Sequence, residues 1–364
     1  MKKKLRVAVL FGGKSAEHEI SLISARNIVA AMDKEKYEIV AIGIDKQGRW
    51  LFDEGARLLR GRGATQVALP PNSHSAAVLP GATATPMIRL APRRALGAVD
   101  VVFPVLHGPF GEDGTVQGLL KLANVPFVGA GVLGSAVGMD KDVMKRLLRE
   151  AKIPVAKFLV YERGARNRID FAAVKRALGL PMFVKPANLG SSVGISKVHN
   201  RAEFRRALIE AFRYDSKILI EEAICGREIE CSVLGNKNPI ASMPGEIIAS
   251  HEFYSYDAKY LDEKGAQFVI PAKLSKSVVT AIREMAIRTF KVLCCEGMAR
   301  VDFFLRGKSE IIVNEINTIP GFTKISMYPK MWEASGISYS KLIDRLIGLA
   351  LERFRKEKNL RTSI

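Results

Sequence analysis

The stretch MARVDFFLRGKSEIIVNEINTIPGFTKIS, residues 298–326, decides the fold. It holds two apolar runs, Ala299–Leu305 and Ile311–Val313, separated by a short polar segment that contains Gly307. Runs of this kind, rich in aromatic and β-branched residues and divided by a glycine, are typical of a β-hairpin. We therefore predict two antiparallel strands in this stretch.

Charged and amide side chains interrupt the strands of this hairpin. Asp302 lies within the first run, and Glu315 and Asn317 follow the second run two residues apart, so the pleat of a strand directs both to one face. Three oxygen-bearing side chains on adjacent strands suit Mg²⁺, which keeps several waters and is completed by substrate phosphates. Arg300 shares the face of Asp302 and would put a positive charge beside the metal. An ordinary hairpin with a charged exposed face explains the pattern equally well, so the rest of the chain must decide.

The bulk composition is that of a globular protein. The 364 residues exceed the usual size of one domain, which predicts two or three domains with well-formed cores. Hydrophobic residues make up 48% of the chain and charged residues 26%. No apolar run approaches the roughly 18 to 20 residues that span a bilayer, so we expect no membrane partner. The four cysteines show no C-x-x-C spacing, which favours reduced thiols and a cytoplasmic location.

The chain is strongly basic. Lysine and arginine outnumber acidic residues by 56 to 37, a formal net charge of +19. Such an excess is typical of proteins that bind nucleic acids or anionic surfaces. The basic residues are scattered, however, and their densest group is the tail Arg353–Arg361, without interleaved aromatic residues. A phosphate-bearing substrate explains the charge more simply, and we expect no nucleic-acid partner.

The N-terminal segment has the pattern of a strand, a glycine turn and a helix. The predicted strand Arg6–Phe11 leads into Gly12 and Gly13, and apolar residues at helical spacing follow. Glu17 lies at the first turn of that helix. A carboxylate there either binds a substrate ammonium group or simply offsets the helix dipole, and the pattern alone favours neither.

A second glycine loop lies at the end of another predicted strand. The buried strand Ala98–Leu106 runs into residues 107–114, which begin with His107 and contain three glycines. In open α/β sheets, ligands bind at this edge of the sheet. We therefore predict a ligand-binding role for this loop, with a purely structural histidine as the alternative.

The middle of the chain changes character twice. Residues 61–97 are rich in proline and lack periodicity, which predicts irregular structure or short hairpins. Asp140 is then placed to cap a helix that ends near Ala151, and a strand is expected over Ile153–Val160.

A glycine- and serine-rich loop, residues 187–195, joins two further predicted strands and follows Lys185. Backbone amides and hydroxyls in such a loop can cradle phosphates while a lysine neutralises their charge. The loop lacks the Walker A spacing and leads into a strand, so a plain glycine hairpin stays open as the alternative.

Three later segments complete the pattern. The predicted strand Lys217–Ile220 runs into acidic residues that can accept hydrogen bonds from a nucleobase and a ribose, Glu221 and Glu228. Solvated surface carboxylates stay open as the alternative for each. The segment Phe253–Leu261 is an aromatic loop, and Tyr339–Arg355 has helical spacing.

Taken together, the chain resembles the D-alanine–D-alanine ligase family of the ATP-grasp superfamily. The motifs that carry the resemblance occur in the family's order: GGKSAEHEIS (12–21), HGPFGEDG (107–114), MDK (139–141), FVKPANLGSSVGISKV (183–198), LIEEAICGREIEC (219–231), FYSYDAKY (253–260), ARVDFF (299–304) and NEINTIPGFTKISMYP (314–329). The resemblance implies an α/β fold in which an ATP-grasp fold is preceded by a Rossmann-like N-terminal domain. The expected domains are the Rossmann-like domain at 1–138, a central ATP-grasp lobe at 139–222, and a C-terminal ATP-grasp lobe with the metal and acceptor sites at 223–364.

The resemblance also implies a reaction. Two D-alanine molecules are joined to D-alanyl-D-alanine through a D-alanyl phosphate at the expense of ATP, for peptidoglycan precursor synthesis. The expected cofactors are ATP and two Mg²⁺ ions, with Mn²⁺ as a substitute, and the expected assembly is a homodimer. Asp302, Glu315 and Asn317 would be the metal ligands. The residues expected to bind ATP are Lys141, Phe183, Lys185, Ser192, Glu221, Glu228, Lys259 and Phe304.

The two amino-acid substrates would be held at the other end of the same hairpin from the groups that face the ATP phosphates. By similarity, Glu17 would bind the ammonium group of the first D-alanine, with His107 near its carboxylate. Ser326 and the backbone of Met327 would bind the carboxylate of the second D-alanine.

The remaining groups implied by the resemblance act on the peptide-forming step. Arg300 and the backbone N–H of Gly321 would form the oxyanion hole. Ser191 and Tyr260, linked to Glu17, would remove the proton of the attacking amine, for which a phenol needs a lowered pKa.

Acceptor choice rests on the aromatic loop. Related D-alanine–D-lactate ligases place a histidine where this chain has Lys259 and Tyr260, which favours D-alanine as the acceptor. Three residues depart from the common pattern: Leu189, Asn314 and Lys324. The last adds a charge to the acceptor loop, so a D-alanine–D-lactate or another ATP-grasp carboxylate–amine ligase stays the alternative.

Overall fold

The computed structural model describes residues 3–52, 76–78, 87–89, 94–95, 97–249 and 266–361. Two site residues expected from the sequence, Lys259 and Tyr260, lie outside the described residues, as does most of the proline-rich stretch 61–97. The described part has mixed α/β structure built on several sheets, as predicted. None of its helices combines the length and apolar character needed to cross a bilayer.

The N-terminal part is a mainly parallel sheet with helices, as the glycine-turn pattern predicted. Its elements are β1 (Leu5–Gly12), α1 (His18–Ala31), β2 (Tyr37–Ile44), β3 (Trp50–Leu51), the short strands β4 (Ala76–Val78), β5 (Met87–Arg89) and β6 (Arg94–Ala95), then β7 (Val101–Val105), α2 (Thr115–Leu122) and α3 (Val132–Met139). The main sheet has the order β3-β2-β1-β7, and β1 is parallel to both of its neighbours. Gly12 ends β1 with φ +92°, and a Cβ there would lie 2.1 Å from the carbonyl oxygen of Ile44, so only glycine fits this turn.

The central part is a four-stranded antiparallel sheet of order β10-β9-β11-β8. Its elements are α4 (Lys141–Glu150), β8 (Phe158–Glu162), a 3₁₀ segment (Arg163–Arg168), α5 (Phe171–Leu178), β9 (Met182–Pro186), β10 (Ser196–Val198), α6 (Arg201–Tyr214) and β11 (Lys217–Glu222). Asp140 caps α4 through its side chain, which accepts from the backbone N–H groups of Asp142 and Val143, as predicted. The strand expected from Ile153 begins only at Phe158. Only the start of the predicted strand was wrong, because before Phe158 the chain lies outside this sheet and Val155 forms an isolated bridge with Val313 instead.

The C-terminal part contains the largest sheet. Its elements are β12 (Arg227–Gly235), β13 (Ile240–Ala241), β14 (Gly245–Ala249), β15 (Ala266–Val269), α7 (Lys276–Val292), β16 (Gly297–Arg306), β17 (Glu310–Asn317), α8 (Met327–Ala334) and α9 (Tyr339–Lys358). The sheet order is β15-β14-β12-β16-β17, with β13 paired to β12. The predicted hairpin is confirmed as β16 and β17, which pair in antiparallel register, with β17 at the edge of the sheet.

Two helices cross between these parts and join their cores. Apolar residues of α9 pack in one cluster with Val9 and Phe103 of the N-terminal sheet. Met144 and Leu148 of α4 pack with residues of β12 and β16. Burial of such side chains stabilises the structure by roughly 1.5–3 kcal/mol each, so these helices fix the orientation of the sheets around the space between them.

Candidate functional site

The register of the β16–β17 hairpin brings four polar side chains together. Asp302 is the cross-strand partner of Glu315, and Arg300 is the partner of Asn317. Arg300 donates from Nε and Nη2 to the two carboxylate oxygens of Asp302, each at 2.7 Å, and Asn317 donates from Nδ2 to Asp302 Oδ2 at 3.0 Å. The predicted grouping of Arg300 with the three candidate metal ligands is therefore present.

Arg300 has a second carboxylate partner that sequence reasoning missed. Glu230 lies on the neighbouring strand β12 opposite Asp302, and its Oε2 is 3.0 Å from Arg300 Nε. Burial lowers the pKa of Arg300, but Asp302 and Glu230 outweigh this and raise it well above its ordinary value, so the guanidinium stays charged. The period-2 spacing of Glu230 from the predicted ribose ligand Glu228 was the signal that could have revealed it.

The hairpin side chains fit a hard divalent cation. Asp302 and Glu315 supply carboxylates on adjacent strands, and Asn317 supplies an amide oxygen while its Nδ2 donates to Asp302. Within the described residues, no three His, Cys, Asp or Glu side chains cluster as a metal site. Two carboxylates and one amide still match Mg²⁺, since that ion is commonly bound through one or two carboxylates together with substrate phosphates and water.

Glu17 connects the N-terminal part to the glycine- and serine-rich loop. It directly precedes α1, and its Oε1 accepts a short hydrogen bond from Ser191 Oγ. Gly108, with φ +74°, lets the second predicted loop approach closely, because a Cβ there would lie 3.1 Å from Glu17 Oε2. The loop 107–114, the loop 187–195 and the start of α1 thus meet at the carboxyl group of Glu17.

His107 is buried and neutral. Its Nδ1 lies 2.9 Å from the carbonyl oxygen of Ile319, so this nitrogen carries the proton, and Nε2 lies 3.5 Å from Ser24 Oγ. Burial lowers its pKa, which keeps the ring uncharged near neutral pH. The ring therefore fixes the chain at Ile319, two residues before Gly321.

Glu112 is a buried carboxyl group that sequence reasoning also missed. Its Oε1 accepts from the backbone N–H of Gly108 at 2.8 Å, and its Oε2 accepts from that of Ile319 at 3.3 Å. Burial, together with the charge of Glu17, raises its pKa to about 8. Its place in a glycine loop was visible in the sequence, but its burial was not.

The loop 187–195 is held by the N-terminus of α4. Lys141 donates from Nζ to the carbonyl oxygen of Leu189, and the same nitrogen lies 3.7 Å from Glu315 Oε2. Ser191 and Ser192 have φ of 52° and 60°, a left-handed conformation that costs energy for residues other than glycine. Backbone N–H groups of consecutive residues in turns of this kind can form an anion-binding concavity.

A buried triad of charges lies beside this loop. Lys185 Nζ donates to Glu221 Oε2 at 2.8 Å, and Lys145 Nζ lies 3.3 Å from Glu221 Oε1. Burial raises the pKa of Glu221, but the two lysines outweigh it and lower the pKa to about 2. Lys185 also lies 5.6 Å from the ring centre of Phe183. Lys145 had no role in the sequence-based prediction, although it follows Lys141 by one helical turn.

The predicted acceptor residues lie in the loop that leads into α8. Ser326 precedes the helix, and its Oγ accepts from the backbone N–H of Thr323 at 2.9 Å. A Cβ at Gly321 would lie 2.8 Å from Ser326 Oγ, so the close approach depends on the glycine. Met327 opens the helix and packs against Ile247, which places a helix N-terminus and an apolar wall together.

One cavity of about 510 Å³ unites most of the predicted site. The predicted residues that line it are Glu17, His107, Ser191, Glu228, Arg300, Asp302, Phe304, Glu315, Asn317, Gly321, Ser326 and Met327. A small neighbouring cavity is bordered by Lys141, Leu189 and Glu315. Apolar residues that sequence reasoning did not select, among them Ile20, Ile23 and Phe268, also line the larger cavity.

The chain is similar to known proteins along its whole length. Residues 6–130 match the family model described as D-ala D-ala ligase N-terminus, and residues 147–348 match that described as D-ala D-ala ligase C-terminus. The D-alanine–D-alanine ligase of Oceanobacillus iheyensis is 53% identical over 364 residues, covering 100% of this chain and 99% of that protein.

Solved structures agree with these matches. The D-alanine-D-alanine ligase from Coxiella burnetii superposes with a TM-score of 0.85 at 44% identity and covers 98% of this chain and 96% of that one. The VanG D-Ala:D-Ser ligase from Enterococcus faecalis gives a TM-score of 0.84 at 36% identity, covering 96% of this chain and 100% of that one.

Proposed function

The chain belongs to the D-alanine–D-alanine ligase family, and we propose that its cavity joins two D-alanine molecules into D-alanyl-D-alanine as ATP is converted to ADP and phosphate. The fold is the ATP-grasp fold of that family, and the product serves peptidoglycan precursor synthesis. The observation that carries the proposal is one cavity lined both by Glu17, the carboxylate proposed to bind an ammonium group, and by the Arg300–Asp302 pair. A ligase of this kind needs an amino-acid site and a phosphate site within one enclosed space.

Asp302, Glu315 and Asn317 are the proposed holders of Mg²⁺. A divalent ion bound there supplies neutralisation of the phosphate oxygens as negative charge shifts between them. We propose that two Mg²⁺ ions bind there and that Mn²⁺ can replace them. The hairpin contributes rigidity, because strand register places all three side chains, a hydrogen bond joins Asn317 to Asp302, and Glu315 Oε2 lies 3.7 Å from Lys141 Nζ.

The groups assigned to ATP lie on three elements. Lys141 and Lys185, with the backbone of the loop at Ser192, are proposed to contact the phosphates, and Lys259 is proposed to join them. Three further residues complete the proposed nucleotide site: Phe183, Glu228 and Phe304. Contact of Glu221 with the adenine ring stays a prediction, and the carboxylate of Glu221 already binds two lysines.

The first D-alanine is assigned to the end of the cavity near α1. The carboxyl group of Glu17 is held by Ser191, so it is already placed to bind an ammonium group. His107 lines the same end and is neutral, so it adds no opposing positive charge to that ammonium site. Ser191, together with Tyr260, is proposed to carry the proton away from the attacking amine.

The second D-alanine is assigned to the loop before α8. Its carboxylate would bind Ser326 and the backbone N–H of Met327, because the N-terminus of a helix attracts anions. The negative oxygen that forms when the amine attacks the acyl phosphate would be bound by Arg300 and the backbone N–H of Gly321. Arg300 is held in place before reaction by Asp302 and Glu230, which is the preorganisation that such stabilisation needs.

The proposal also includes three domains, with limits at residues 138 and 222. It further includes a homodimeric assembly. Each of the three main sheets falls within one of these ranges, while α4 and α9 pack across the limits. Sedimentation of the full chain would report the assembly, and a monomer at micromolar concentration would remove that part of the proposal.

A coupled assay tests the reaction. Phosphate release from ATP should depend on D-alanine, should be accompanied by D-alanyl-D-alanine, and should disappear in Glu315→Ala. The matched control is Glu310→Ala, which removes an exposed carboxylate from the same strand and should leave turnover unchanged. RNA binding that falls steeply with salt, without any D-alanine-dependent turnover, would refute the proposal.

A further inference from the structure

Lys145 is a buried cation that none of the assigned steps uses. It lies on α4, and its side chain is about 1% exposed. A lysine is almost never fully buried unless it is paired, because removing an ammonium group from water is costly. Its partner is Glu221 at 3.3 Å, whose side chain is 2% exposed. Lys145 therefore has a specific electrostatic role in this position.

The partner carboxylate is shared with a second lysine. Glu221 Oε1 faces Lys145, and Glu221 Oε2 accepts from Lys185 at 2.8 Å. Two ammonium groups thus share one carboxylate, which leaves a positive charge in excess within the cluster. Burial lowers the pKa of Lys145, the charge of Lys185 adds to this, and the charges of Glu221 and Glu315 oppose it.

Helix α4 orients Lys145 toward the nucleotide side of the fold. Lys141, one turn earlier on the same face, donates to the backbone of the loop 187–195. The carboxylates at the start of the helix are engaged elsewhere, because Asp140 and Asp142 lie 2.7 and 3.1 Å from Lys217 Nζ. The acidic groups at the start of α4 therefore do not neutralise Lys145.

We propose that Lys145 is a positioning residue of the ATP site. It offsets the negative charge of Glu221, so that the ammonium group of Lys185 stays available to the phosphates. This rests on the proposed function, in which Lys185 contacts ATP. Without Lys145, Glu221 pairs with Lys185 alone. The net charge of these two side chains is then zero, so they attract the phosphates less. Glu221 then competes with the ligand for the same ammonium group.

The test compares ligand affinities of full-length variants. Lys145→Met removes the charge and keeps a long side chain. It should raise the dissociation constant for ADP, measured by calorimetry, and the KM for ATP by about 10- to 100-fold, the range for losing one charged contact. The KM for D-alanine should stay within about twofold. The control Lys175→Met removes an exposed helical lysine and should match the wild type.

A second substitution gives a readout that a merely structural role would not move. Glu221→Gln removes the carboxylate that would pair with Lys185, and the single Glu221→Gln variant accounts for the predicted contact of Glu221 with the adenine ring. In the Glu221→Gln background, Lys145→Met should raise the dissociation constant for ADP by less than about threefold. A rise there as large as in the wild-type background would overturn the inference. If Lys145→Met does not fold, Lys145→Gln, which is also uncharged, is held to the same criteria.

The outcomes separate this inference from the function on which it rests. A wild-type chain that neither binds ADP nor turns over ATP with D-alanine would refute the proposed function. A wild-type chain that does both, together with a Lys145→Met variant that binds ADP within about twofold of it, would refute only the role of Lys145. Equal rises in the KM values for ATP and D-alanine would also refute it, since they indicate general damage to the site.

Discussion

Replacing Arg300 by lysine should separate the charge of the oxyanion site from its geometry. Arg300 makes two parallel hydrogen bonds of 2.7 Å to Asp302 and lies 3.0 Å from Glu230. Lysine keeps the positive charge but has a single nitrogen, so it cannot hold both carboxylates and also face the forming negative oxygen. Loss of one such donor costs about 100- to 1,000-fold in kcat, or about 3–4 kcal/mol of transition-state stabilisation.

The hairpin contains its own control for Arg300→Lys. Arg306 lies on the same strand and pairs with Glu310 through the same two-pronged geometry, at 2.8 and 2.5 Å, but this pair is exposed. Exposed ion pairs contribute little, so Arg306→Lys should leave kcat within about twofold of the wild type. Steady-state kinetics with dipeptide detection gives both values. A kcat for Arg300→Lys within about threefold of that for Arg306→Lys would refute the assignment of Arg300.

Three further predictions concern stability, pH and acceptor choice. Arg353→Met should lower the free energy of unfolding by about 3 kcal/mol in urea denaturation, because the carbonyl groups of Phe127 and Gly129 lose charged donors at 2.8 and 2.6 Å; exposed Arg355→Met on the same helix should change it by less than about 0.5 kcal/mol. The pKa of Glu112 is raised from 4.5 to about 8, so the folded state binds a proton that the unfolded state has lost, and stability should fall as pH rises between these values. In urea denaturation, the free energy of unfolding of Glu112→Gln should fall less with rising pH than that of the wild type. Equal dependence on pH in the two proteins would contradict the burial of this carboxyl group. With both acceptors present, the chain should form D-alanyl-D-alanine in preference to the ester with D-lactate, as measured by product chromatography; predominant ester formation would identify the alternative ligase.

The sequence predicted the local elements of the site because each depends on neighbouring residues. Alternation and a glycine turn specify the hairpin that carries Asp302, and a capping aspartate specifies the start of α4. The period of a strand then determines which side chains share a face. For this reason the predicted groupings of Arg300 with Asp302 and of Glu315 with Asn317 needed no knowledge of the tertiary fold.

The partners that were missed come from distant parts of the chain. Lys145 has a helical position like that of a solvated lysine, and only the packing of α4 beside β11 places Glu221 next to it. Arg353 was counted with a basic tail, and although helical spacing was predicted there, only the tertiary structure shows that its guanidinium is buried and donates to the carbonyl groups of Phe127 and Gly129. Local patterns carry no information about such contacts, since they depend on how separate sheets are oriented.

Arg300 is held by two carboxylates, that of Asp302 on its own strand β16 and that of Glu230 on the neighbouring strand β12. Both oxygens of Asp302 accept from Arg300, while Asp302 is also the proposed holder of a cation. If Asp302 held a divalent cation, one of its oxygens would be shared between that cation and Arg300, and one of these hydrogen bonds would be weaker. Glu230 then remains as a carboxylate partner at 3.0 Å, so the guanidinium keeps its place and its charge. Because the partners of Arg300 lie on β12 and β16, a one-residue slip between these strands would move Glu230 to the opposite face and remove this second support together with the register of the site.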